Sequence, residues 1–208
     1  MEEIDKDTEG VWSFLLFSGY LKLVKREFLN KRLYCNLRIP NLEVEYLYEK
    51  IILSWFSDNI NNDKFQIMLR SLVNGDIKTF DKIFKEFVLK SVSYFDAGGN
   101  EPEKVYHAFV LGMLIALNNE YEVKSNKESG YGRYDVMIIP KDTTKKGIII
   151  EFKKVDEYDN EDLEMAVSEA LKQIEEKNYK QELLDRGIKD ILQIGMAFEG
   201  RKVMCRAG

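Results

Sequence analysis

The sequence predicts an α/β protein. A mixed sheet flanked by helices, in the order helix, three strands, helix, strand, follows a smaller and mainly helical segment. Three observations lead there. The unbroken aliphatic run GIIIEFK, Gly147 to Lys153, reads as a buried strand. A second apolar run, Arg133 to Ile139, precedes it across the polar turn Lys141 to Lys146, as expected of two neighbouring strands. Beyond them Leu163, Ala166, Val167, Ala170, Leu171 and Ile174 recur at helical spacing. A helix from about Glu161 to Lys177 therefore lays one apolar stripe on a sheet.

The other elements follow in order. Asp7 or Thr8 can cap a helix to about Ser18, with Val11, Leu15 and Leu16 on one face, and Gly19 stops it. YLKLV reads as a strand, a basic turn follows, and LYCNLRI reads as a second strand. Pro40 breaks that strand and Asn41 opens a helix to about Phe56. Further helices are expected over Lys64 to Val73 and Ile77 to Val92. Trp12, Phe14, Phe17, Trp55 and Phe56 fall at helical positions and are assigned to the core. AGGNEP, Ala97 to Pro102, sets a glycine pair before a proline at a helix start, and divides residues 1–97 from 98–208. A helix from about Glu101 to Asn118 opens the second part. Strand Tyr121 to Ser125, the loop KESGYG, the two strands above, the long helix and a last strand, Asp190 to Phe198, complete it.

Composition bounds the function. With 208 residues, 45% apolar and 32% charged, the chain can bury a sizeable core as a soluble globular protein. The start, MEEIDKDTEG, has no signal-peptide pattern, and FVLGMLIAL (Phe109 to Leu117) is too short to span a bilayer. Cys35 and Cys205 make neither a metal motif nor a disulfide framework. A cytoplasmic, reduced setting without a membrane partner is the expectation. The net charge of −5 does not advertise nucleic-acid binding. Residues 1–100 carry 14 basic and 15 acidic side chains, net −1, which leaves −4 for the rest. Locally, Lys22, Lys25, Arg26, Lys31, Arg32 and Arg38 face Glu27 alone. That patch could meet phosphates, or could be a solvated hairpin.

The chemistry gathers around Glu151. In a strand, residues i and i+2 share a face, so Glu151 and Lys153 project together and Phe152 points the other way. Asp135 ends GRYD, sixteen positions upstream of Glu151. If its strand pairs alongside, two carboxylates and one ammonium converge, a set suited to a hard divalent cation beside an attacking water. The alternative is a structural ion pair. A charge directly after GIII needs a partner in either case. Gln173 falls at the edge of the helix stripe and is expected to look toward Lys153. Tyr179, six residues on, does not share its helical face. His107, the only histidine, is at i+4 from Glu103 and shares its face. Gly130 and Gly132 permit close backbone approach, and Arg133 at i−2 from Asp135 is placed to grip phosphate. Glu128 is a further ligand or the partner of Arg133. Asp142, Asp156, Glu157 and Asp159 read as solvated loop charges.

Four stretches, in this order, carry a resemblance: SNKESGYGRYDVMIIP (Ser125 to Pro140), GIIIEFKKV (Gly147 to Val155), EALKQIEEKNY (Glu169 to Tyr179) and IGMAFEGRKV (Ile194 to Val203). They resemble the PD-(D/E)XK nuclease superfamily, and within it the branch found C-terminal to AAA-ATPase-like domains. The resemblance implies a restriction-endonuclease-like αβββαβ core and a metal-dependent nuclease using Mg²⁺ or Mn²⁺. It implies Asp135, Glu151, Lys153 and Gln173 as the catalytic set. Asp135, Glu151 and the Phe152 carbonyl would be metal ligands, with Glu103 a further one. Nucleic acid, DNA first, would be the substrate, contacted by Arg133, His107, Lys22, Lys25 and Arg26. It also implies that the first segment is winged-helix-like and that an ATPase domain of the same longer protein is a partner. No GxxxxGK[ST] phosphate loop is present, so no ATP chemistry through one is expected of these residues. Two other readings stand beside the nuclease. One is a catalytically silent nuclease-fold module that binds nucleic acid or regulates the ATPase. The other is an interaction protein built on the helical segment. The complete D…ExK set favours the enzyme.

Overall fold

The structure, a computed structural model, describes residues 8–59, 61–91, 102–155 and 161–208. Local signals set its elements. Helix α1 (Thr8–Phe17) stops before Gly19, whose φ of 84° glycine adopts without penalty. Strands β1 (Lys22–Leu29) and β2 (Arg32–Arg38) form an antiparallel hairpin. Helix α2 (Leu42–Asn59) begins where Asn41 Oδ1 accepts the Val44 N–H at 3.0 Å. Asn61 caps α3 (Asn62–Asn74), and Asp76 Oδ1 accepts the Thr79 N–H at 3.1 Å at the start of α4 (Ile77–Ser91). Helix α5 (Pro102–Leu114) continues into a 3-10 turn, Ile115–Leu117. Then come β3 (Tyr121–Ser129), β4 (Gly132–Pro140), β5 (Gly147–Lys154), α6 (Leu163–Glu176), α7 (Gln181–Asp185), β6 (Ile191–Glu199) and β7 (Lys202–Ala207).

The expected sequence of helix, three strands, helix and strand is α5, β3, β4, β5, α6 and β6. Three differences follow from short or mixed signals. Strand β3 runs on to Ser129, so the KES of the expected loop is strand and the turn is Gly130 and Tyr131 alone. The five-residue helix α7 is too short to show a period. Strand β7, KVMCRA, alternates only weakly. Of the AGGNEP stretch, Ala97 to Glu101 lie outside the described residues, and Pro102 opens α5.

By packing, the chain divides into a unit through Ile52 and a unit from Leu53. In the first unit no described residue is fully buried. Trp12, Phe14 and Phe17, expected in a core, are 56%, 57% and 88% exposed. Helix α1, a two-stranded hairpin and the first part of α2 enclose too little volume to build an interior.

The second unit holds the core. Its sheet runs β3-β4-β5-β6-β7, with β5 and β6 parallel and the other neighbours antiparallel. Parallel neighbours need a crossover, and the segment carrying α6 supplies it. Helix α6 covers one face. Helix α5 covers the other, where Tyr106 stacks on Phe198 with ring centroids 4.0 Å apart. Phe56, Phe65, Phe87 and Phe109 join the end of α2 to α3, α4 and α5 in one aromatic cluster. Asp81 of α4 accepts the Cys205 N–H at 2.8 Å, which occupies a donor of edge strand β7. Among the described residues no helix is long and apolar enough to cross a membrane.

Gly195 of β6 sets how near α6 comes to the sheet. A Cβ there would lie 2.7 Å from the Val167 carbonyl oxygen and 3.2 Å from the Ala170 Cβ. The first distance is inside contact, and its partner is helix backbone that cannot rotate away. Gly195→Ala should therefore destabilise the protein by about 1–3 kcal/mol in urea unfolding, at an unchanged m-value. A variant as stable as the parent would show that α6 does not depend on this seat.

Candidate active site

Strands β4 and β5 bring the two acids together. Their antiparallel ladder ends at Val136 opposite Ile150, and Asp135 and Glu151 are the next positions on each strand. There the regular ladder gives way to side chains. The Asp135 N–H donates to Glu151 Oε2 at 3.4 Å, and the Phe152 N–H donates to Asp135 Oδ2 at 2.8 Å. Each strand thus offers a main-chain donor to the other strand's acid.

The ladder on the other side of β4 is interrupted at the same place. Ser125 pairs with Val136 and Lys127 with Tyr134, while Asn126 between them has a φ of 51°. Tyr134 and Met137 both enter one core cluster, although an unbroken strand would put them on opposite faces. The i, i+2 rule that set Arg133 beside Asp135 does not carry across this break. Arg133 is exposed, and its carbonyl accepts the Tyr179 hydroxyl at 2.7 Å.

Glu151 is 3% exposed. Gln173 Nε2 donates to its Oε1 from α6, and the same nitrogen lies 3.3 Å from the Tyr179 hydroxyl. The expected neighbour of Gln173 was Lys153. The structure gives it Glu151 instead, and pairs Lys153 Nζ with Glu169 Oε1 at 3.0 Å, one helical turn earlier on α6. The spacing of Glu169 and Gln173 carried that signal, since residues four apart share a helix face. Tyr179 reaches Gln173 because the chain turns back after α6. Asn178, at a φ of 52°, makes the turn, so the straight-helix argument that separated the two residues fails at the helix end. Burial pushes the Tyr179 hydroxyl's pKa up, which keeps it an O–H donor.

Burial also raises the Asp135 pKa above the ordinary aspartate range, with the Phe152 N–H, His107 and Lys153 pulling it back. His107 meets Asp135 through the backbone. Its Nε2 lies 3.3 Å from the Asp135 carbonyl, which can only accept, and its ring stands edge-on to Phe152 at 5.5 Å. Glu103 is in the first turn of α5, and its side chain lies outside the described part of the structure. Glu128 pairs with Arg133 in the β3–β4 ladder. Exposed Asp142 accepts the N–H and hydroxyl of Thr144, and Asp156, Glu157 and Asp159 lie outside the described residues. Lys22, Lys25 and Arg26 belong to the first unit, on β1, where Lys25 pairs with Glu27.

Among the described residues no three or more His, Cys, Asp or Glu side chains gather as a metal cage. Two carboxylates from adjacent strands form a smaller set of hard oxygen donors. That set fits Mg²⁺, which takes one or two carboxylates and keeps several waters. It also fits the raised Asp135 pKa, because a carboxyl that burial takes out of water ionises more readily beside a cation.

A family model described as the PD-(D/E)XK nuclease superfamily matches residues 101–207, a range that takes in all of α5 and ends with β7. No curated protein and no solved structure matches the chain.

The Asp135 shift has a definite sign. A carboxyl whose folded pKa is raised adds stability below its unfolded pKa of about 3.8, and that contribution is lost as pH rises through the folded value. Metal-free Asp135→Asn should therefore melt higher than the parent at pH 7 and close to it at pH 3. Saturating Mg²⁺ should raise the parent's Tm by more than the variant's. Equal melting curves for both proteins at pH 7 without metal would refute the electrostatic account.

Proposed function

The chain belongs to the PD-(D/E)XK nuclease superfamily, and we propose that it is a divalent-cation-dependent phosphodiesterase that hydrolyses nucleic acid, DNA first. The family carries the coarser statement, a nuclease-type function on a nucleic-acid substrate. One observation supports the finer reading most. Asp135 and Glu151 exchange bonds with each other's strands, so the two acids end side by side where the ladder stops.

In this reading Asp135, Glu151 and the Phe152 carbonyl hold the cation, and Glu103 of α5 is a further ligand. When bound, Mg²⁺ or Mn²⁺ would polarise a phosphate oxygen and lower the pKa of a bound water. Lys153 brings an ammonium to the same strand end, where it stabilises charge building on the phosphate or orients the attacking water. Gln173 holds the buried Glu151 carboxylate in one orientation, and Tyr179 holds Gln173. Arg133 and His107 serve as phosphate contacts. Lys22, Lys25 and Arg26 extend the contact surface through the first segment. The nuclease domain is 98–208. The order of its motifs further supports a place C-terminal to an AAA-ATPase-like domain of a longer protein.

Metal binding and cleavage separate the roles. In calorimetric titration with Mn²⁺, Asp135→Ala and Glu151→Ala should bind at least about 10-fold more weakly than the parent. Lys153→Ala should bind metal as the parent does, because an ammonium is no ligand, yet cut DNA about 10²–10³-fold more slowly. Metal binding with no cleavage of DNA or RNA by the parent would leave the silent, regulatory module as the function.

The hairpin is tested by salt. Replacing Lys22, Lys25 and Arg26 with Glu should weaken DNA binding and flatten the slope of log K against log salt by about 0.9 for each phosphate the protein no longer neutralises. An unchanged slope would remove these cations from the contact surface.

A further inference from the structure

The tip of the β3–β4 hairpin carries an aromatic side chain that the fold leaves bare. Tyr131 is 81% exposed, against 56% for Met165, the next most exposed large apolar side chain among the described residues of the second unit. A single exposed aromatic is ordinary. The backbone that carries this one is held in place. Its N–H donates to the Lys177 carbonyl at 2.8 Å, and Ser129 Oγ donates to the Tyr179 carbonyl at 3.2 Å. Gly130, at a φ of 59°, takes the first central position of the two-residue turn, as a type II′ turn requires. It also presses onto the end of α6, where an added Cβ would overlap the Lys177 carbonyl oxygen. A Cβ on Gly132 would meet the Lys177 stem and the Tyr179 hydroxyl at 3.1–3.2 Å. Gly132 therefore faces the helix end, and its strand neighbour Arg133 projects to the opposite side.

The hairpin is thus clamped to the turn that carries Tyr179, and Tyr179 reaches Glu151 through Gln173. Tyr131 is four residues from Asp135. At the rise of a strand that is at most about 14 Å, the span of a few nucleotides. Arg133 is an exposed cation two positions from the ring, and its guanidinium has no ion-pair partner among the described residues. An exposed aromatic on an anchored backbone, two residues from an exposed cation, matches the pattern that binds a nucleotide by stacking the base and pairing the phosphate. A base inside a duplex has both faces covered by its neighbours. An unpaired base does not.

We propose that Tyr131 is a stacking platform for an unpaired nucleobase near the scissile phosphate, with Arg133 on the adjoining phosphate. The substrate class is then nucleic acid with a single-stranded segment beside the cut: a free strand, a flap or a frayed end. This rests on the nuclease reading above, and it names which nucleic acid that site takes.

The test uses the full chain, in EDTA to prevent cleavage, and a labelled 20-nucleotide single strand beside the matching duplex. Base–aromatic stacking contributes about 1–3 kcal/mol per base, so Tyr131→Ala should weaken single-strand binding by about 5- to 100-fold. Tyr131→Phe and Tyr131→Trp should restore it, since they keep the ring and drop the hydroxyl. Duplex affinity should change less than 2-fold. A strand carrying 2-aminopurine should change fluorescence on binding the parent and the Phe variant, but not the Ala variant. Unchanged single-strand affinity in Tyr131→Ala would overturn the inference and leave the nuclease reading intact. So would an equal loss in Ala and Phe, which would point to the hydroxyl, and so would an equal loss on the duplex. No binding by the parent to either form, in EDTA or with Ca²⁺ in place of Mg²⁺, would overturn the nuclease reading itself, and this inference with it.

Discussion

Glu151 sits at 3% exposure on β5, between β4 and β6. An ionised carboxylate in that position costs several kcal/mol unless charge and hydrogen bonds compensate it. The core of the second unit can be understood as the set of devices that supply them. Oε2 takes the Asp135 N–H, which the ladder leaves free, and Oε1 takes the Gln173 amide. These donors orient the carboxylate without neutralising it. In the proposed site a cation would add opposite charge beside this carboxylate, and the neighbouring Asp135, whose pKa burial raises, would be the second oxygen donor.

Most of this support comes through α6. Gly195 lets the helix come close to β6, and at that distance Gln173 reaches Glu151 and Glu169 reaches Lys153. The turn at Asn178 then folds Tyr179 back beneath Gln173, and the Tyr179 hydroxyl closes the circuit on the Arg133 carbonyl, two residues before Asp135. A helix, a turn and a hairpin tip are joined in one hydrogen-bonded loop. The face of the sheet opposite α6 is mainly apolar, with Phe152 and Phe198 under α5 and His107 at its edge, so Glu151 and its Gln173 donor lie on the α6 side. That segregation lets a single buried acid exist in an otherwise aliphatic strand.

The long-period features were legible from residue order alone. GIIIEFK is long, continuous and bounded by polar turns, and it emerged as β5 with Glu151 and Lys153 on the helix side. The stripe from Leu163 to Ile174 emerged as α6. Features that depend on chain reversal were not legible. Tyr179 was set apart from Gln173 because helical geometry was extended past Glu176, where the helix ends. Strand alternation likewise failed at Asn126 and Asp135, where positive φ and an interrupted ladder shift the register of faces. Trp12, Phe14 and Phe17 look like core residues by type and spacing. Whether an apolar face is covered depends on a second layer closing over it, and in the first unit these three side chains stay exposed.

The central claim is that Asp135 and Glu151 together hold one divalent cation. The most direct measurement is anomalous diffraction from a crystal of the full chain soaked in Mn²⁺. The account predicts one peak between the two carboxylates, with the Phe152 carbonyl beside it. A map at saturating Mn²⁺ with no peak there, and with the Glu151 carboxylate still held by Gln173 and the Asp135 N–H, would contradict it and make the acid structural.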